Sequence, residues 1–422
     1  MAIRSGLAVA AATIGILGLG AIAPAAAQGA CTGGGKISKQ IAKPMSAAQD
    51  ALKARKWQDV LARTREAEST AGGKSQFDQY WMYEFRGYAY HNLKQPAEAA
   101  RELEAALNSP CMPEANKLER YKSLAGLYSS LRNYQKVIDY GNRALKVARD
   151  PDMQVQVAQA YYQTGNNKDA VRVMNELLAS MEQRGTVPKE QQLLLIVAAC
   201  QKAGDNNCVS KVFEKLVQHY PKPEYWQNLM VAIKALDNDD IQTLNVMRLA
   251  AYVNVLKKPD DYKEMAQLAL EEKLACEGQA VLELGFTKKI FVEKRDIDVN
   301  TRLLEAAKKE CLADKTALAK NEAAAKSAAT GDALVKLGAQ YLGAGDATKG
   351  AAAIQQGLTK GLAKADPKEM TPQEMTRQDE ANILLGIAYL KVNNKAEAAK
   401  AFRKATKDPT MTRIAKLWLL NT

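Results

Sequence analysis

The chain has 422 residues, 47% of them hydrophobic, 25% charged and only 6% aromatic. That apolar share excludes a globally disordered polymer, while the length admits several globular domains or one long repeat array. The formal charge of +12 favours acidic partners or anionic surfaces. Lys and Arg are spread along the chain with Glu and Asp between them, so no stripe suited to reading bases is expected, nor a nucleic-acid partner.

The N-terminus reads as an address. Arg4 is followed by an apolar run from Leu7 to Ile22, interrupted only by Thr13 and ended by Pro24. Ala25-Ala26-Ala27 supplies small residues for cleavage after Ala27, so residues 1–27 are expected to be a secretory signal peptide. An uncleaved membrane anchor is the alternative reading of the same run. Acylation of Cys31 is disfavoured, because Gln28 stands where a lipoprotein signal needs Leu. No second segment is apolar enough to span, so no stable membrane span is expected after cleavage. Residues 28–44 read as a flexible linker; Gly33-Gly34-Gly35-Lys36 lacks the spacing and preceding strand of a phosphate loop.

One pattern of small and large residues then recurs along the chain. A degenerate unit holds Ala48, Ala51, Trp57, Val60 and Ala67. Clear units follow at Gly87, Tyr90, Ala99, Leu103 and Ala106, then at Ala125, Tyr128, Val137, Gly141 and Ala144. Ala158, Tyr161, Ala170, Met174 and Leu177 make the next, and Val197, Cys200, Val209, Phe213 and Leu216 another. A divergent helix pair is predicted at 224–235 and 240–256, its second helix started by the Asp237–Asp240 cluster. Calcium binding there is disfavoured by the loop spacing. Ala266, Ala269, Gly278, Leu282 and Gly285 continue the pattern. A helical insert rich in Ala, Lys and Glu is expected near 297–328. Gly338, Tyr341, Gly350, Ile354 and Gly357 come next, then a polar insert at 365–378 with a predicted Thr371–Glu374 capping box. The last unit holds Gly386, Tyr389, Ala398, Phe402 and Ala405.

Counting Gly386 as position 8, the small residues fall at 8, 20 and 27, with Tyr at 11 and an aromatic at 24. This resembles the tetratricopeptide repeat, and the resemblance runs over roughly residues 45–410. It implies an all-α, right-handed solenoid of about eight or nine antiparallel helix pairs, divided into arrays at 45–260 and 261–422. Position 8 is expected to meet positions 20 and 27, so that short side chains let paired helices approach closely. Gly87, Ala99, Ala106, Ala125, Ala158, Ala170, Gly338, Gly350, Gly386, Ala398 and Ala405 are the predicted packing residues. The Ala266–Ala269 and Glu277–Ala280 phrases and the Lys43-Pro44-Met45 entry resemble secreted proteobacterial repeat proteins.

The same resemblance implies a non-catalytic scaffold that binds a protein or peptide along the concave face of its first helices. Carried onto this sequence, that groove presents Trp81, Glu84, Tyr88, His91, Asn92, Lys122, Gln159, Tyr162 and Gln163. A carboxylate clamp would need Asn after Lys122, and Gly126 stands there instead. No Ser or Cys is placed to serve His91, His219 reads as a helix-end residue, and neither cofactor nor metal is expected. Export makes disulfides the expected state of six cysteines, with Cys200–Cys208 across a hairpin turn, Cys276–Cys311 across the break near residue 293, and Cys31–Cys111 left over. The compartment expected is the periplasm. Alternative roles are an electrostatic binder of the anionic envelope, or an accessory subunit of an envelope enzyme or transport complex.

Overall fold

The computed structural model describes residues 31–422 except 33, 34, 237 and 367. The signal-peptide and cleavage expectations therefore lie outside the described residues. Among the described residues the secondary structure is entirely helical, with one short 3-10 turn at Lys39–Ile41 and twenty α-helices. The fold is all-α, built from consecutive helices that pack pairwise along the chain. Contacts divide it into two compact units between Ala203 and Gly204, well before the residue 260 boundary suggested by the sequence.

The N-terminal unit holds α1 (Ala42–Lys53), α2 (Trp57–Ser69), α3 (Gln76–Asn92), α4 (Pro96–Leu107), α5 (Glu114–Ser130), α6 (Tyr134–Val147), α7 (Pro151–Gln163), α8 (Asn167–Gln183) and α9 (Glu190–Lys202). Each helix packs on the next through its apolar face. The expected flexible linker is, in its described part, tied down. Cys31 is bonded to Cys111, and Phe77 donates its backbone N–H to the Thr32 carbonyl at 3.1 Å. The carboxylate of Asp78 accepts from the backbone of Ser38 and of Ser75, each at 2.9 Å, and from the Ser38 hydroxyl. Ile41, fully buried, seats the segment in the core of the first pair.

The C-terminal unit holds α10 (Asn206–His219), α11 (Pro223–Lys234), α12 (Asp240–Tyr252), α13 (Pro259–Glu271), α14 (Ala275–Thr287) and the 34-residue α15 (Lys294–Ser327). It continues with α16 (Asp332–Gly343), α17 (Ala347–Lys360), α18 (Pro372–Lys391), α19 (Lys395–Phe402) and α20 (Pro409–Leu419). Asp239 caps α12, and Thr371 with Glu374 forms the capping box of α18. The polar insert is shorter than expected, because α18 begins at Pro372 and absorbs residues 372–378. Cys276 and Cys311 are bonded and staple α14 to α15, while Cys200 and Cys208 are each also in a disulfide.

This unit closes on itself. Helix α20 lies against α12, α18 and α19, and α18 also touches α12. Trp418 of α20 stacks on Phe402 and sits 4.8 Å from the Tyr252 ring. The buried guanidinium of Arg248 on α12 bonds both oxygens of Glu277 at 2.8 Å and Glu380 at 2.8 Å. Burial works against the charge on Arg248, but the two carboxylates outweigh it and hold the group protonated. Asp379 accepts from the backbone of Thr406, Lys407 and Asp408, fixing the turn from which α20 starts.

Within a pair the contacts differ in one respect from the expected register. A Cβ placed on Gly87, Gly338 or Gly386 would run into Leu103, Ile354 or Phe402, the position-24 residue of the same unit. Position 20 does face position 8, as Gly350 faces the Gly338 carbonyl. Position 27 does not: Gly357 lies against Gly331 and Val335, at the start of the first helix. Antiparallel geometry explains this, because two turns beyond position 20 the second helix has descended to the opposite end of its partner. All eleven predicted packing residues are buried.

Candidate functional site

The first helices of the N-terminal pairs, α3, α5 and α7, are tied edge to edge by polar contacts. Arg120 of α5 donates to both carboxylate oxygens of Glu84 on α3, at 2.6 and 2.5 Å. Lys122 of α5 pairs at 2.8 Å with Asp150, which also caps α7. Gln156 of α7 donates to the Ala125 carbonyl at 3.3 Å. Beyond α7, the Lys202 ammonium of α9 sits 4.1 Å from the centre of the Tyr162 ring.

These contacts sort the nine predicted groove residues into two sets. Trp81, Glu84 and Lys122 are engaged internally. Trp81 packs among Phe77, Tyr80 and Phe85, with its ring N–H buried and unpartnered among the described residues. Burial pushes the Glu84 carboxyl up, and the adjacent Arg120 opposes that rise. Lys122 is held charged by its hydrogen bond to Asp150. Both ion pairs tie neighbouring first helices together.

The other six lie on half-exposed or exposed surface: Tyr88, His91 and Asn92 on α3, Gln159, Tyr162 and Gln163 on α7. Tyr88 meets Trp57 of α2 edge-on at 5.9 Å, so part of its ring is fixed from below. Asn92 donates to the Tyr88 carbonyl at 2.9 Å and keeps its amide oxygen. Burial, and then Lys94, lower the His91 imidazole from its usual range, which keeps it neutral near pH 7. The strip thus offers two anchored tyrosines and several neutral hydrogen-bonding groups. Among the described residues no group of three His, Cys, Asp or Glu side chains is gathered as a metal would need.

The partners Arg120, Asp150 and Lys202 were not singled out from the sequence. One signal was present: Glu84 and Arg120 lie 36 residues apart, close to one repeat, so opposite charges at that interval fall side by side on neighbouring first helices.

No curated protein matches the sequence. Among solved structures, a tetratricopeptide repeat protein from Parabacteroides merdae is 12% identical, with a TM-score of 0.30, covering 82% of this chain and 99% of its own. The C-terminal part of a TPR repeat-containing protein from Cytophaga hutchinsonii is 14% identical, with a TM-score of 0.32, covering 62% of this chain and 95% of its own. Residues 379–407, which take in the second half of α18 and all of α19, match the family model of the tetratricopeptide repeat.

Proposed function

We propose that the protein is a non-catalytic scaffold that holds a partner protein or peptide along the first-helix strip of its N-terminal unit. The observation that carries this reading is the strip itself. Tyr88 and Tyr162 project from helices locked in place by Glu84–Arg120 and Lys122–Asp150, with neutral polar groups beside them. Tyrosines of that kind give contact area at low entropic cost and are common binding hot spots. The periplasm remains the compartment we favour. The described cysteines are all oxidised, and no described helix is long and apolar enough to cross a membrane.

Joint replacement Tyr88→Ala and Tyr162→Ala tests the reading by capture from the native envelope. The expected result is loss of the wild-type partner with unchanged helical circular dichroism, since each truncated hot spot costs roughly 2 kcal/mol or more. An unchanged set of captured proteins would reject the strip as the binding surface.

A further inference from the structure

The C-terminal unit carries a second surface whose chemistry differs from that of the strip. Between α17, α18 and α19 lies an open cleft of about 320 Å³, lined by Leu385, Tyr389, Ala401, Lys400, Arg403 and Lys404, among others. Leu385 and Ala401, almost fully buried, lie at its base, and the half-buried ring of Tyr389 forms its accessible apolar wall. Glu397 also lines it and pairs with Lys400 at 2.6 Å, which leaves Arg403 and Lys404 without a carboxylate partner among the described residues.

The surrounding sequence is lopsided in charge. Residues 391–422 contain eight Lys or Arg and only two acidic residues, against 59 and 47 in the whole chain. The two acids do little to offset this. Glu397 is taken by Lys400, and Asp408 is buried and bonded to Met411, Thr376 and Gln242. Arg413 is the one basic residue of the segment that reaches a distant carboxylate, Glu214. The remaining cations have no acidic partner among the described residues.

We infer that this cleft is a docking site for an acidic peptide segment of a partner protein, seating an apolar side chain against Tyr389 while adjacent carboxylates meet Arg403 and Lys404. The volume suits one or two side chains, and Arg with carboxylate is a strong, directional pair. A flat anionic surface would meet Arg403 and Lys404 but leave the recess beside Tyr389 unfilled. The recess and the aromatic wall therefore favour a peptide over a bilayer. The site lies on a different unit from the tyrosine strip and stands without it.

The test uses the full-length exported protein and a fluorescent peptide alternating Leu with Glu, followed by anisotropy. Arg403→Glu with Lys404→Glu is expected to weaken binding on the order of tenfold or more, because repulsion replaces attraction. Gln355→Trp, which narrows the cleft without changing charge, is expected to weaken it as well. Lys294→Glu with Arg295→Glu, at the exposed start of α15, is expected to leave it unchanged. A matched peptide with Gln for Glu should bind far less. Equal binding of the Gln peptide, equal loss with the α15 reversal, or a cleft-dependent retention of phosphatidylglycerol vesicles without peptide binding would each overturn the inference.

Discussion

Asp78 shows how a single polar residue organises its surroundings. Burial alone would raise its carboxyl, but hydrogen bonds from Ser38 and Ser75 outweigh that and hold it below the ordinary carboxylate range. A depressed folded-state value stabilises the fold above the unfolded value, near pH 4, and the contribution disappears as pH falls through the folded value. At neutral pH, Asp78→Asn is expected to cost about 1–3 kcal/mol, since one oxygen cannot accept all three bonds. The difference in thermal midpoint between variant and wild type should shrink below about pH 4; a gap that stays constant down to pH 3 would show that Asp78 is not the clasp. Such residues were hard to read in the sequence. Asp78, Glu84, Arg120 and Arg248 are charged, and a pattern of apolar and polar positions sends charges to the surface. What buries them is a partner at a distance in sequence: 36 residues for Glu84 and Arg120, 132 for Arg248 and Glu380.

At the scale of helices the sequence was far more legible, because pairing is written in residue size. The offset of 16 residues between Gly87 and Leu103 recurs between Gly386 and Phe402, and in each case the glycine makes room for the larger group. Phe402 cannot yield easily, being buried and stacked on Trp418. Gly386→Ala is therefore expected to destabilise the C-terminal unit by about 1–3 kcal/mol despite the better helix propensity of Ala. Gly73→Ala, with nothing near its Cβ, should change the thermal midpoint little; an equal response at both sites would contradict the nesting account. Composition also revealed α15, whose Ala, Lys and Glu favour helix without tertiary help. The last repeat unit legible in the sequence ends at Ala405, so helix α20 lies beyond the repeat pattern. Its own signal was complete: Asp408 as cap, Pro409 at the first turn, and Met411, Ile414, Ala415 and Trp418 at helical spacing.

On the scale of the whole molecule, local patterns stop informing. Nothing in α12 and α20 taken separately announces that they pack together, since Tyr252 and Trp418 are 166 residues apart. The same holds for the division at Ala203, which depends on where contacts thin out rather than on any change in composition. The tyrosine strip is intermediate. Its positions followed from repeat register, but which of the nine residues remain available depended on Arg120 and Asp150, contributed by other helices. The proposed scaffold has its binding strip on one unit, while the second unit is closed by α20.

Photo-crosslinking in the native host tests that account most directly. A photoreactive residue placed at exposed Gln163 on α7 is compared with one at equally exposed Lys146 on α6. The account predicts a discrete crosslinked partner from position 163 and none from position 146. The same partner captured from both positions, or from 146 alone, would contradict it.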